Sequence, residues 1–369
     1  MASLAKQYSN TKYSLSIIDT FYTITLLLIV LGSGFSLFLE ALLKNINLSG
    51  GLLIGVFFLA ISILYYLLNL PLNFYSSYIL EHKFNLSKQK AKDWWLDQLK
   101  SGVLGYIISL ILVLAFYWIL NKFNNWWWFA ISIFWIFFSV ILAKLTPVLI
   151  IPLFFKYKKL DDELLRQKII LLAQKMQIKL MDVFQIDLSK KTLKANAAFT
   201  GSGRTRRVIL ADTLKDKYSY DEIEVILAHE FAHYRLKHIM KLILVNSLVT
   251  LGLFFVIFKT SGYCLTIFKL SFLSQVASLP LVFLYFILFG IIMQPLEAYI
   301  SRRFERQADN LALKTTQNKE AFISLMDKLA EQNLSDKTPH PLIKFFFFDH
   351  PPIDERIKTA KSYHPLSKP

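Results

Sequence analysis

Six long apolar runs constrain the fold of this chain more than any other feature. A hydrocarbon core of about 30 Å requires roughly 20 apolar residues in a helix. Six segments meet or approach that length, at residues 20–39, 50–72, 101–121, 123–143, 242–258 and 270–296. These runs lack a polar face, which argues against buried helices of a water-soluble protein. The sequence therefore predicts a mainly α, polytopic membrane protein with about six transmembrane helices.

Composition supports this interpretation and limits others. The chain is 54% hydrophobic and 18% charged, whereas soluble domains have roughly 25% charged residues. Trp126, Trp127 and Trp128 stand at the start of the fourth run, where an aromatic belt is expected. The single cysteine, Cys264, excludes an intramolecular disulfide framework and a cysteine-rich zinc cluster. The first run is too long for a signal-peptide core, so we expect a retained span.

The distribution of basic residues predicts the orientation in the membrane. The connection at residues 81–100 has five lysines, whereas the connections before and after it have only Lys44 and Lys122. Residues 156–237 and the C-terminal region are basic again. By the positive-inside rule, both termini and both aqueous regions face the cytosol. This placement accounts for the net charge of +16, and we expect no nucleic-acid partner.

The chain divides into membrane and aqueous parts that alternate. We predict an N-terminal region of four spans, the first part of an aqueous domain, a two-span hairpin and the second part of that domain, at residues 1–155, 156–240, 241–296 and 297–369. The two aqueous parts are expected to fold together because both lie on the same side of the membrane.

The first aqueous part has clear secondary-structure signals. Residues 161–178 have apolar residues at helical spacing, and residues 181–189 and 206–214 have the composition of strands. A further helix follows, with Ser219 or Asp221 as its cap, acidic residues in its first turn and basic residues in its last.

That helix contains the sequence ILAHEFAHYRLKH, which predicts a metal site. His229 and His233 lie one turn apart on one face, so that both imidazoles can hold a single Zn²⁺ at about 2.0–2.1 Å. Glu230 is displaced around the helix by one residue. It can stand beside the open position of the metal and accept a proton from water.

The third zinc ligand must come from elsewhere in the chain. A metzincin histidine would fall at Ile239, and the glycine of that motif at Leu236, which excludes that class. His238 misses the position by one residue, and we interpret it as a solvated or phosphate-facing side chain outside the site.

Acidic residues after the sixth run are the remaining candidates, and they include Glu297, Glu305 and Asp309. Glu305 and Asp309 are four residues apart on one helical face. Glu305 as ligand and Asp309 as hydrogen-bond acceptor from a ligand histidine would complete the site. From the residues alone, ion pairing with the neighbouring arginines explains these acids nearly as well, namely Arg302, Arg303 and Arg306.

Several segments together resemble one known family. The pair HEFAH and SRRFERQAD, both next to predicted spans, is similar to that of the CAAX prenyl endopeptidases, which are integral-membrane zinc metalloproteases. Four further segments resemble the same family in the same order, namely NLPLNFYSSYILEHKFNLSKQ, LTPVLIIPLFFKY, NAAFTGSGRTRRVILADTL and DHPPIDERI. The resemblance covers nearly the whole chain from about residue 20.

The resemblance implies a zincin-like α+β metalloprotease domain with one Zn²⁺ per chain, and transmembrane helices that enclose a chamber with the zinc site at one end. In it, His229, His233 and Glu305 bind the metal, Glu230 is the general base, and Asp309 orients the metal site.

The resemblance also implies substrate contacts. Asn196, Ala197 and Ala198 belong to a strand that pairs with an extended peptide. His350 stabilises the oxyanion, and Arg356 holds the C-terminal segment in place. The expected partners are the lipid bilayer and a peptide or protein substrate, with prenylation a possible requirement.

Two departures from the family bear on the substrate. Ala198 stands where the family usually has an aromatic residue, and only a few residues separate Leu214 from Asp221, where eukaryotic members have a longer acidic insertion. The compact build suggests a bacterial member, whose natural substrates need not be prenylated. The expected location is the bacterial inner membrane, or the endoplasmic reticulum in a eukaryote.

Other functions remain open at this stage. A membrane quality-control protease of the HtpX kind shares the zinc and glutamate motifs. A site-2-type intramembrane protease is disfavoured because the metal helix begins in polar sequence. Outside enzymes, the alternative is a transporter or lipid-handling protein with a structural zinc.

Overall fold

The computed structural model describes residues 3–201, 206–215 and 217–364. The helices of this part are α1 Leu4–Gly32, α2 Phe35–Asn45, α3 Gly50–Phe74, α4 Leu80–Lys83, α5 Ala91–Lys122, α6 Trp127–Leu145, α7 Ile151–Phe154, α8 Glu163–Lys175, α9 Tyr220–Arg235, α10 His238–Ile267, α11 Leu279–Thr316, α12 Lys319–Gln332, α13 Pro341–Phe347 and α14 Ile353–Lys361. Its strands are β1 Tyr157–Lys159, β2 Asp182–Ile186, β3 Ala197–Thr200 and β4 Arg207–Ala211.

Six helical segments of the described chain are long and apolar enough to cross a membrane, which confirms the predicted number. They comprise Leu4–Gly32, Gly50–Lys83, Ala91–Lys122, Asn124–Phe154, His238–Ile267 and Val276–Thr316. Helices α1, α3, α5 and α11 line a cavity of about 1340 Å³ whose wall is mostly apolar. This cavity agrees with the chamber implied by the family resemblance.

The first span begins and ends earlier than the hydropathy predicts. Helix α1 stops at Gly32, and Gly34 adopts a left-handed conformation with φ of 75° before α2 begins. Glycine reaches this conformation at no steric cost, so it separates two apolar helices within one apolar run. The predicted boundary at residues 20–39 is therefore wrong, because hydropathy does not register a glycine turn.

The last two spans are longer than predicted. Helix α10 begins at His238, includes the sequence HIMK and continues past Lys259 to Ile267. Helix α11 has 38 residues and runs without interruption from the membrane segment to Thr316, where Gln317 takes a left-handed conformation. Glu305 therefore lies on an extension of the sixth span, and the predicted division at residue 296 falls inside this helix.

The aqueous part contains a four-stranded sheet in the order β1-β2-β4-β3. Strand β2 pairs with β4 in parallel, and the two outer pairings are antiparallel. The strands confirm the predictions for residues 181–189 and 206–214, and α8 confirms the helix at 161–178. The core between this sheet and helices α8, α9, α11 and α12 includes the fully buried rings of Phe231 and Phe322.

Strand β3 forms one edge of the described sheet. Ala211 N donates a hydrogen bond to Asn196 O at 3.0 Å, so residues 196, 198 and 200 exchange hydrogen bonds with β4. In an antiparallel ladder the intervening residues point their main-chain groups the other way. The N–H and C=O groups of Ala197 and Phe199 therefore face the open edge, where an extended peptide can pair.

Candidate metal centre

Helix α9 is fixed at its start by a capping box. Ser219 Oγ accepts a hydrogen bond from Glu222 N, and Ser219 N donates to Glu222 Oε2 at 2.7 Å. The buried Glu222 carboxylate also contacts Lys328 Nζ at 2.8 Å and accepts from Ser324 Oγ at 2.6 Å. Ser219, one of the two predicted caps, thus fixes the start of the helix, and Glu222 of the same capping box links it to α12.

Small residues bring α9 against α11. Ala228 and Ala232 of α9 and Ala308 and Ala312 of α11 are fully buried in the same core cluster. Alanine at these positions allows two helix backbones to approach closely, in the way that small residues do between membrane helices. The packing places the histidine face of α9 opposite Glu305 of α11.

Three potential ligand atoms meet at this contact. The Nε2 atoms of His229 and His233 are 3.1 Å apart. Glu305 Oε2 lies 3.1 Å from His229 Nε2, and Glu305 Oε1 lies 3.2 Å from His233 Nε2. Glu305 Oε2 is buried and accepts no hydrogen bond from the described residues. The three side chains of the sequence prediction are thus brought together.

This donor set fits a zinc ion. Two imidazole nitrogens and one carboxylate oxygen are ligands that zinc takes in catalytic sites with an open position. Bonds of about 2.0–2.1 Å in a tetrahedron separate the ligand atoms by roughly 3.3 Å. The observed separations of 3.1 to 3.2 Å are close to that value.

His229 is supported by a charged pair. Its Nδ1 lies 2.9 Å from Asp309 Oδ1, and Arg356 donates to the same carboxylate through Nε at 2.8 Å and Nη2 at 2.6 Å. Burial lowers the pKa of His229, but the hydrogen bond to Asp309 and the adjacent Glu305 carboxylate outweigh burial and raise the pKa to about 9. The structure thus brings Asp309 and Arg356, both candidates from the sequence, together behind His229.

His233 is supported by a neutral pair. Its Nδ1 lies 3.1 Å from His238 Nδ1, and His238 Nε2 lies 3.0 Å from Gln307 Oε1. The His238 ring is fully buried and stacks on Phe304 with centroids 4.5 Å apart. The interpretation of His238 as a solvated or phosphate-facing residue is wrong. Sequence spacing excluded it as a ligand but did not reveal its contact with one.

Glu230 and His350 lie at the junction of two cavities, of about 190 and about 290 Å³, which His229 also lines. Burial raises the pKa of Glu230 above its usual range, which favours a proton acceptor of useful basicity. His350 Nδ1 lies 2.8 Å from Asp349 Oδ1, and its Nε2 lies 3.4 Å from Glu305 Oε2. Burial lowers the pKa of His350, but these two carboxylates raise it overall.

The edge strand contributes to both cavities. Asn196 and Ala197 line the smaller one, and Phe199 lines the larger one. Phe199 packs edge-on against Phe231 at 5.1 Å and Tyr234 at 5.5 Å. Ala198 lies in the strand, with its side chain on the opposite face. The sequence analysis missed Phe199, although strand alternation from Ala197 would have placed its side chain on the site's face.

The site joins three metal-ligand side chains, a buried carboxylate with a raised pKa and an open strand edge, at the end of a bundle of membrane helices. These features define a membrane metallopeptidase.

Comparison with known families agrees with that class and makes it specific. Residues 159–364 match the model of peptidase family M48. Residues 2–156 match a model described as the CAAX prenyl protease N-terminal region with five membrane helices. The chain belongs to peptidase family M48, and it is a metalloendopeptidase of the Ste24 type.

Relatives occur in bacteria and eukaryotes. An uncharacterized metalloprotease of Bacillus subtilis, YhfN, is 32% identical over 363 residues, covering 97% of this chain and 85% of that protein. CAAX prenyl protease 1 of Saccharomyces cerevisiae is 33% identical over 316 residues, covering 80% and 69%. The crystal structure of Ste24p from S. mikatae superimposes with a TM-score of 0.87 at 28% identity, covering 97% and 88%.

Proposed function

We propose that this protein is a zinc endopeptidase able to remove the C-terminal tripeptide of prenylated CAAX-type substrates. The observation that carries the proposal is the convergence of His229, His233 and Glu305 ligand atoms within 4.8 Å of one another, beside Glu230. The similarity to CAAX prenyl proteases over most of the chain supports the substrate class.

Each group of residues at the site has a separate role in hydrolysis. When bound by His229, His233 and Glu305, zinc supplies Lewis-acid polarisation of water and of the scissile carbonyl. Glu230 accepts the proton of the attacking water and delivers it to the leaving amine. His350, in the doubly protonated form that the Asp349 carboxylate at Nδ1 favours, donates from Nε2 to the developing oxyanion.

Substrate orientation follows from the edge strand. An extended peptide hydrogen-bonds to the main-chain groups of Ala197 and Phe199 that face the open edge, which places its scissile bond next to Glu230. Asn196 and Ala198 flank these positions within the same segment. This pairing involves only main-chain groups of the substrate. Any preference for particular substrate side chains therefore arises in the two adjacent cavities.

The membrane arrangement is part of the proposal. We propose that both termini and the metal centre face the cytosol. The predicted aqueous parts, at residues 156–240 and 297–369, then lie on the cytosolic side, and residues 1–155 and 241–296 supply the membrane spans. The alternation of lysine-rich and lysine-poor connections supports this orientation.

Cleavage assays on the purified protein test the substrate class. Prenylated and plain CAAX peptides are compared on the wild type and on Glu230→Gln. We expect the wild type to cleave the prenylated peptide three residues from its C-terminus. Glu230→Gln should keep full zinc content but cleave roughly 100- to 10,000-fold more slowly. Equal cleavage of both peptides would instead favour general membrane proteolysis of the HtpX kind. Zinc binding without cleavage of either would contradict the proposal.

Zinc content tests the third ligand. Glu305→Ala is expected to lose most bound zinc, because two imidazoles alone hold the ion weakly. Glu297→Ala, a change on an exposed position of the same helix, is the matched control and should retain full occupancy. Full zinc content in Glu305→Ala would show that the ligand assignment is wrong.

A further inference from the structure

The contact between His238 and His233 has a definite direction once the metal site is considered. His233 Nε2 is the atom that points to His229 and Glu305, so it must keep its lone pair free for a metal. The proton of the neutral His233 ring then resides on Nδ1, 3.1 Å from His238 Nδ1. His233 therefore donates this hydrogen bond, and His238 Nδ1 accepts it.

The second ring nitrogen of His238 extends this series of hydrogen bonds to Gln307. Because Nδ1 of neutral His238 is an acceptor, its proton is on Nε2, which donates to Gln307 Oε1 at 3.0 Å. The amide oxygen of Gln307 can only accept. The donor and acceptor atoms of the three side chains are thus fixed, and the series of hydrogen bonds ends at a neutral acceptor on α11.

Two features of the fold hold His238 in this position, namely the turn of the chain before it and the aromatic ring that stacks on it. Lys237 adopts a left-handed conformation with φ of 57° between α9 and α10, which turns the chain directly after the metal helix. His238 is the first residue of α10, and its fully buried ring lies parallel to Phe304, with an interplanar angle of 10°. A ring with so little freedom fixes the orientation of the group that it contacts.

We propose that His238 is a positioning residue for the metal centre. Through the relay from His233 to Gln307, it fixes the tautomer and the ring orientation of His233 so that Nε2 faces the zinc position. Outer hydrogen-bond partners of metal-bound histidines commonly have this effect. The inference rests on the proposed metal site, and it assigns to His238 no contact with the metal or the substrate.

Three substitutions separate the possible roles of the ring. His238→Phe keeps an aromatic ring against Phe304 and removes both hydrogen bonds. His238→Asn places an acceptor near the former Nδ1, and His238→Gln places a donor near the former Nε2. Zinc affinity is measured on purified full-length protein by competition with a chelator, and the spectrum of the cobalt-substituted protein reports ligand geometry.

We expect zinc affinity to fall about 10- to 100-fold in His238→Phe, with a changed cobalt spectrum. His238→Asn should recover most of the affinity and the wild-type spectrum, whereas His238→Gln should not. If His238 only stabilises the fold, the zinc affinities of the Asn and Gln variants should not follow this order. Thermal melting of the metal-free variants measures that contribution to stability separately.

Two results would overturn the inference: wild-type zinc affinity in His238→Phe, or recovery by Gln as complete as by Asn. Failure of the underlying metal site is distinct, because the wild type itself would then bind no zinc. Met240→Ala, which alters an exposed residue of α10, serves as the control and should bind zinc normally.

Discussion

The two histidines of α9 face the same metal position but are supported by different chemistry. Behind His229 lies a carboxylate, Asp309, which is itself held by two hydrogen bonds from Arg356. Behind His233 lie the neutral ring of His238 and an amide. A carboxylate partner increases the basicity of a ligand histidine, whereas a neutral partner orients it without added charge.

Charge balance gives a reason for the difference. Glu230, Glu305 and Asp309, taken as ionised, contribute three negative charges, and Arg356 contributes one positive charge. Their sum of about −2 matches a divalent cation, and buried charge is tolerated when it is compensated. A second carboxylate behind His233 would exceed that balance, so a neutral support is the one compatible with a filled site.

Among the residues that support His229, removal of Arg356 is expected to have the largest effect on stability and zinc affinity. Arg356→Met leaves the Asp309 carboxylate buried without its partner, which costs about 3–5 kcal/mol of folding free energy. Zinc affinity should also fall about 100-fold as Asp309 loses its orientation. Thermal melting and chelator competition measure the two effects.

Arg306→Met is the matched control for this experiment. Arg306 is exposed on α11 and lies 3.8 Å from Glu355, so its removal should change neither property measurably. Equal melting temperatures for the two variants would contradict the role given to the buried pair.

Substitution of Asp309 by Asn gives His229 a neutral hydrogen-bond partner, as His233 already has. The amide keeps an acceptor for His229 Nδ1 but removes the negative charge, so zinc affinity should fall about tenfold. Isothermal titration with zinc checks this value. The comparison predicts a larger loss here than in His238→Asn, which preserves a neutral partner. The reverse order would mean that charge does not distinguish the two histidines.

Much of this arrangement was predictable from local spacing. The four-residue interval of His229 and His233 fixes them on one helical face, and Glu305 and Asp309 repeat that interval on α11. The capping candidates Ser219 and Asp221, with acidic residues in the first turn, also predicted the start of α9, and Ser219 is the observed cap. Their assigned roles in catalysis stay predictions, since geometry alone places the side chains but does not assign their chemistry.

The supports that depend on tertiary structure were not predictable. The burial of His238 requires the left-handed turn at Lys237 and the ring of Phe304 on a distant helix. The end of α1 depends on the turn at Gly34, which hydropathy averages out. Strand alternation places Phe199 on the same face of β3 as Ala197, but its packing against Phe231 and Tyr234 of α9 depends on tertiary structure.

A change at the start of α9 should affect both histidines equally. Ser219→Ala removes the capping hydrogen bond and should cost about 1 kcal/mol of stability, with zinc affinity nearly unchanged. Thermal melting and chelator competition test both statements. A selective loss of one ligand would show that the helix does not move as a unit.

The same cap has a predictable pH dependence. Burial raises the pKa of Glu222, but hydrogen bonds from Lys328, Ser324 and Ser219 outweigh it, so the folded pKa lies below the ordinary 4.5. A depressed carboxyl pKa stabilises the fold above the unfolded value and loses that contribution as pH falls through the folded value. Glu222→Gln should therefore destabilise the protein near neutral pH, and the difference from wild type should shrink as the pH falls through the lowered folded pKa of Glu222.

The smallest effect is expected at the far end of the neutral relay. Gln307→Leu leaves His238 Nε2–H without an acceptor but retains the contact between His238 and His233, so zinc affinity should fall only about twofold to threefold. Gln307→Glu instead adds a carboxylate two side chains from the metal, which would make the neutral side resemble the side of His229. If charge balance governs the centre, chelator competition should show no gain in affinity for Gln307→Glu, together with a lower melting temperature. A clear gain would mean that basicity of the ligand matters more than the buried charge, and the neutral character of this side would then need another cause.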